Sequence, residues 1–210
     1  MRKTIVPAII AESQRELEER VEKVREHASL FQLDVMDGKF VPNRSLDFDF
    51  VLADDLQFEA HLMVRYPDRW IANNCDKVGT VLAHIESCKD PGRIIELVKG
   101  KNRIGFALNP QTPIASITPY LDEIDQVLVM TVNPGSYGSP FLPQMLNKVT
   151  ELRRLRPSLD IEVDGGINAK TISKVNEAGA NMFVSGSYIV NADNVGEAVR
   201  KLRELLGEEV

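Results

Sequence analysis

Short apolar runs alternate with longer, charged, amphipathic stretches eight times along this chain, and that alternation admits few folds. A short, mostly apolar run reads as a strand buried on both faces, which is how strands of a helix-covered parallel sheet behave. Such runs fall at 4–10, 30–36, 57–63, 80–84, 103–108, 126–131, 160–164 and 182–186. The stretches between them predict helices at about 14–27, 46–54, 67–74, 91–100, 114–121, 142–155, 168–178 and 194–206. Strand followed by helix eight times over predicts an α/β fold, a closed (β/α)8 TIM barrel formed by one domain over 1–210. An open doubly wound sheet is the alternative. It generally has fewer units and a glycine-rich turn after its first strand, where this chain reads PAIIAES.

A length of 210 residues, 43% of them hydrophobic, is enough to bury one sizeable core without staples. The formal net charge is −6 and no basic stripe offers phosphate-backbone contacts, so no nucleic-acid partner is expected. Cys75 and Cys88 lack metal-ligand spacing, and the N-terminus lacks a signal-peptide pattern, so neither a disulfide framework nor a thiolate zinc site is expected. No apolar run approaches the roughly 20 residues of a membrane span. These features point to a cytoplasmic protein that does not use a membrane.

Barrel enzymes keep their chemistry at the C-terminal ends of the strands. The second strand ends Gln32-Leu33-Asp34-Val35-Met36, and alternation puts Gln32, Asp34 and Met36 on one face, with Leu33 and Val35 toward the helices. An ionisable side chain facing a barrel interior is costly unless paired or ligated, so Asp34 makes a poor filler. His61 and Met63 share a face of the third strand in the same way, although a lone core histidine is as often structural as functional. The seventh strand ends Glu162-Val163-Asp164-Gly165-Gly166, an aspartate followed by two glycines whose backbone N–H groups can approach an anion. Two carboxylates from distant strands in one pocket are what a two-sided proton transfer requires. One acts as base, while the other, raised by burial and by its neighbour's charge, stays protonated as acid.

The eighth strand ends Val184-Ser185-Gly186-Ser187, and barrels often hold phosphate between the loops after strands seven and eight. After the sixth strand, Met130 to Phe141 includes two glycines and two prolines and reads as a lid that excludes water. Met36, Met63 and Met130 each end a strand and would form an apolar, polarizable ceiling over a substrate. Gap-filling in the core explains their spacing equally well.

Together these segments resemble the ribulose-phosphate 3-epimerase family: LDVMDGKFVPN at 33–43, HLM at 61–63, AHIES at 83–87, MTVNPG at 130–135, EVDGGIN at 162–168 and SGS at 185–187. The resemblance runs in order along nearly the whole chain. It implies a (β/α)8 barrel that interconverts ribulose 5-phosphate and xylulose 5-phosphate by inverting carbon 3. Asp34 and Asp164 would be the acid/base pair, working through a cis-enediolate. The phosphate would rest on the backbone of Gly135, Gly166, Gly186 and Ser187, beside Gly165, with Met36, His61, Met63 and Met130 against the sugar. The resemblance further implies a homo-oligomer, no organic cofactor, and a divalent metal (zinc, manganese, iron or magnesium) held by two histidines and the two aspartates.

Asp34, His61 and Asp164 match three of those metal positions. Gln32 stands where the family has its other histidine, and an amide oxygen suits manganese or magnesium better than zinc. Pro7-Ala8-Ile9-Ile10 replaces the family's P-S-I-L, and Ser136-Tyr137-Gly138-Ser139 replaces its F-G-G-Q. Departures confined to one pocket, beside intact aspartates, point to altered substrate or metal use rather than decay. A pentulose 5-phosphate is the leading substrate, with a hexulose 6-phosphate such as allulose 6-phosphate next. A sugar-phosphate binding protein without turnover is the competing class. A related barrel lyase would carry lysine in an Asp-x-Lys-x-x-Asp strand, where this chain has Met36.

Overall fold

Residues 1–134 and 140–208 are described by the computed structural model. Nine strands occur among them: β1 (Thr4–Ile9), β2 (Phe31–Asp37), β3 (Arg44–Ser45), β4 (Phe58–Met63), β5 (Thr80–His84), β6 (Arg103–Leu108), β7 (Gln126–Met130), β8 (Asp160–Asp164) and β9 (Met182–Ser185). The α-helices are α1 (Gln14–Val24), α2 (Pro67–Asn74), α3 (Pro91–Val98), α4 (Leu146–Leu155), α5 (Ile172–Glu177), α6 (Ser187–Val190) and α7 (Val195–Leu205). Parallel pairing runs β1-β9-β8-β7-β6-β5-β4-β2, and β1 also pairs with β2 through Ala8 with Gln32 and Ile9 with Leu33. That last pairing closes eight parallel strands into the expected barrel. The two-residue β3 lies outside the ring, antiparallel to the end of β2.

Alternation along each strand divides the core in two. Outward residues such as Leu33 and Val35 join Leu17, Val21 and Val24 of α1 in one apolar cluster between barrel and helices. The helices start where the sequence supplies caps, Ser13 accepting from the Glu16 N–H before α1 and Asn194 from the Glu197 N–H before α7. Inward residues fill the barrel, with Val6, Ala8, Met182 and Val184 on one side and Leu82, Ala107, Leu128 and Met130 on the other.

One interior layer is polar. Gln126 Nε2 donates to Glu162 Oε2 at 2.8 Å and to Glu59 Oε2 at 3.3 Å, and all three side chains are fully buried. Burial pushes both carboxyls up, and the neighbouring Glu59 charge drives Glu162 well above the ordinary glutamate value. This layer sits directly beneath the site, since Glu59 precedes His61, and Glu162 precedes Asp164, by one alternation.

Two predicted helices are absent. Residues 46–54 form none, because Leu46, Phe48 and Phe50 turn inward at a period of two while Asp47 and Asp49 stay exposed. Lys77 Nζ holds this extended segment, bonding Asp49 Oδ1 at 3.0 Å and the Phe50 carbonyl at 2.9 Å. Residues 114–121 form two 3₁₀ turns, Ile114–Ser116 and Thr118–Tyr120. Pro119 lacks an N–H and would clash with the carbonyl four residues back, which breaks an α-helix there. The four-residue α6, unpredicted, follows β9 immediately. Among the described residues no helix is long and apolar enough to cross a membrane.

Candidate active site

The C-terminal strand ends open into a cavity of about 690 Å³. Asp34 reaches it from β2 and Asp164 from β8, because each occupies an inward position near the C-terminal end of its strand. Asp34, His61 and Asp164 each offer a ligand atom, and these atoms lie within 4.8 Å of one another. His61 Nδ1 is 3.2 Å from Asp34 Oδ1 and 3.4 Å from Asp164 Oδ2. Gln32 takes the fourth corner. Its Nε2 donates to Asp34 Oδ1 at 2.7 Å and to Asp164 Oδ2 at 3.1 Å, so one amide group spans both carboxylates. Gln32 Oε1 is buried with no hydrogen-bond partner among the described residues.

Burial pushes the Asp34 carboxyl up and the charge of Asp164 adds to this, against hydrogen bonds from His61 and Gln32 that favour ionisation. Burial disfavours the charged form of His61 as well, but its hydrogen bonds to Asp164 and Asp34 and their charges raise it to about 9. Behind His61 stands His84, at the end of β5. Their Nε2 atoms are 2.9 Å apart and their rings stack with centroids 5.0 Å apart at 27°. Burial lowers His84 to about 4. Glu86 Oε2 lies 3.0 Å from His84 Nδ1. Burial opposes ionisation of Glu86, yet hydrogen bonds from His84, Thr112 and the Asn109 N–H hold it below the usual range.

Met36, Met63 and Met130 all line the cavity, each almost fully buried, and Met36 and Met63 cluster with Val41. His61 does not line the cavity. It is fully buried, with Nδ1 against the two carboxylates. Gly165, Gly166, Gly186 and Ser187 also line the cavity. Gly165 has φ +113° and Gly166 φ +69°, and a Cβ on Gly165 would come within 2.5 Å of Val132 Cγ2. Thr131 pins that turn by donating from Oγ1 to the carbonyls of Gly165 at 2.6 Å and Asp164 at 3.0 Å. Ala8 lines the cavity with a methyl group. Gly135 and the lid residues 136–139 lie outside the described residues.

The sequence reading misses His84, Glu86, Thr131, Arg20 and Lys170. The alternation that singles out His61 also turns His84 inward, so that signal is present. Arg20 and Lys170 line the cavity from α1 and from the turn before α5, where no strand-end rule points.

The model of the ribulose-phosphate 3 epimerase family matches residues 4–190. A ribulose-phosphate 3-epimerase of Schizosaccharomyces pombe is 36% identical over 209 residues, covering 95% of this chain and 92% of that one. One from Bacillus subtilis is 36% identical over 211 residues, with 95% and 97% covered. Among solved structures, KGPDC from Streptococcus mutans superposes with a TM-score of 0.71 at 18% identity, covering 98% of this chain and 97% of that one. A 3-hexulose-6-phosphate synthase gives 0.69 at 17% identity, covering 97% and 99%. These two share the barrel. The family match goes further, spanning residues 4–190 and with them every barrel strand, and the chain belongs to the ribulose-phosphate 3-epimerase family.

Proposed function

We propose that this protein is an isomerase that inverts carbon 3 of a phosphorylated ketose, D-ribulose 5-phosphate to D-xylulose 5-phosphate, with Asp34 and Asp164 as the proton-transfer pair. The observation that carries this reading is the pair itself, two carboxylates meeting in a cavity that Gly165, Gly166 and Gly186 also line. An ionised aspartate takes the C3 proton, and the electron pair moves through C2 onto the carbonyl oxygen, giving the enediolate. The other aspartate, protonated, gives its proton to the opposite face of C3 as the C2 carbonyl re-forms. The pair thus ends a turnover with its proton exchanged between partners, ready for the reverse direction. Burial holds Asp34 toward the protonated form, which suits an acid role in one direction.

Gly166, Gly186 and Ser187 would hold the phosphate. The first N–H groups of a helix have no partner within it, and α6 begins at Ser187. Lys170 and Arg20 add positive charge to the same cavity. Met36, Met63 and Met130 would cover the enediolate and keep water from it.

The donor set fits a divalent cation. Two carboxylates and one imidazole converge, and the buried Gln32 Oε1 has no partner among the described residues, so rotating that amide would turn an oxygen toward them. Asp34, His61, Asp164 and Gln32 would hold the ion, with the oxygen-rich set favouring manganese or magnesium over zinc. Such an ion would supply positive charge where the enediolate oxygen becomes negative. The test is interconversion of ribulose 5-phosphate and xylulose 5-phosphate by the purified protein, with allulose 6-phosphate in parallel. Turnover of the pentuloses supports the assignment. Turnover of the hexulose alone moves the substrate, and binding without turnover removes the enzyme reading.

A further inference from the structure

The chemistry above uses one edge of His61 and leaves the other unexplained. His61 Nε2 and His84 Nε2 face each other at 2.9 Å with both rings fully buried. Two ring nitrogens attract only when one carries a proton and the other does not. The neighbours decide which. Glu86 Oε2 lies 3.0 Å from His84 Nδ1, and a carboxylate only accepts, so that nitrogen carries the proton. Glu86 is itself anchored, its other oxygen accepting from the Asn109 N–H at 2.8 Å. A neutral His84 protonated on Nδ1 has a bare Nε2, which then accepts from His61 Nε2–H. His61 Nδ1, 3.2 Å from Asp34 and 3.4 Å from Asp164, donates to those carboxylates in the metal-free protein, and it is the nitrogen whose lone pair would face a cation once that proton leaves.

The His84 ring is held for this task. Phe40 packs on it with centroids 4.8 Å apart, and the His84 carbonyl accepts from Ser87 Oγ at 2.9 Å and Cys88 Sγ at 3.2 Å. Neither His84 nor Glu86 lines the cavity, so neither reaches a substrate. We propose that Glu86 and His84 are positioning residues that fix the proton of His61 on Nε2 and so present its Nδ1 to a divalent cation at Asp34 and Asp164. The cation itself rests on the functional reading above; the proton placement rests on the hydrogen bonds.

The chain has three histidines, so two-bond 1H–15N spectra resolve the protonation of each ring, with single substitutions assigning them. The expected spectrum shows His84 protonated on Nδ1 and bare on Nε2, without metal and with added zinc, and His61 protonated on Nε2. A proton on His84 Nε2 in either spectrum overturns the proposal. Manganese affinity, read by paramagnetic resonance titration, gives the second measure. His84→Leu weakens it by about 10–100-fold. His84→Gln, whose amide oxygen accepts from His61 Nε2–H, restores most of it. Equal losses in both variants at equal thermal midpoints, or wild-type affinity in His84→Leu, overturn the positioning role. Expected spectra and affinities in a protein that turns over no ketose phosphate would remove the functional reading and leave this one standing.

Discussion

Asp34 and Asp164 arrive from β2 and β8 with carboxylate oxygens within 4.8 Å of each other, and the Gln32 amide donates to both. Burial and the charge of Asp164 both push the Asp34 carboxyl up, which favours a proton on Asp34. Asp34→Asn and Asp164→Asn keep the shape of the site and remove one proton carrier each. Each substitution is expected to lower kcat by at least about 10²–10⁴-fold with the thermal midpoint little changed. Steady-state kinetics beside a melting curve checks this, and a variant retaining wild-type kcat contradicts it.

On the proposed reading, Gln32 sets which ion the site prefers. Gln32→His replaces an amide by an imidazole and is expected to raise zinc content and zinc affinity above those of the wild type. Elemental analysis of both proteins after dialysis against equal zinc measures this directly. Equal zinc content would show that position 32 does not contribute to ion choice.

Gly165 combines a left-handed φ of +113° with a backbone that leaves no space for a side chain, since a Cβ there would lie 2.5 Å from Val132 Cγ2. Gly165→Ala is expected to cost about 1–3 kcal/mol and to raise KM by displacing the cavity lining. The double variant with Val132→Ala relieves the clash but not the φ, so denaturant titration should show partial recovery. Full recovery would mean that the clash alone opposed the side chain.

Stability should fall with rising pH through Glu162. Its folded value is raised well above the ordinary 4.5, so the folded chain keeps a proton that the unfolded chain releases. The stabilisation is fully present below about 4.5 and is lost as pH rises from there through the folded value. Glu162→Gln has no proton to release, so its unfolding free energy should decline less between pH about 4.5 and neutrality. Parallel pH profiles for the two proteins contradict this.

The strands are legible because burial on both faces leaves short, mostly apolar runs, as at 80–84 and 103–108, and at 160–164 because Ile161 and Val163 alternate with inward acids; at all three, prediction and structure agree at both ends. The segment 46–54 misleads because its apolar residues recur at a period of two rather than at helical spacing, and 114–121 because Pro119 breaks an otherwise apolar stretch. Asp34 and Asp164 are legible for the same reason as the strands, since alternation alone places them inward at strand ends. The bridging by Gln32 is not, because which way an amide points depends on partners on other strands. Arg20 is hidden because a helix residue reaches the cavity only through the way α1 packs on the barrel, which no local pattern records.

The two-aspartate account is tested most directly by solvent deuterium entering C3 of each pentulose 5-phosphate, followed by NMR for Asp34→Asn and Asp164→Asn in deuterium oxide. The account predicts that neither variant epimerises, while each still exchanges C3 hydrogen in one epimer only, and that the two variants select opposite epimers. Exchange into both epimers by one variant, or the same epimer by both, would contradict the assignment of one aspartate to each face of carbon 3.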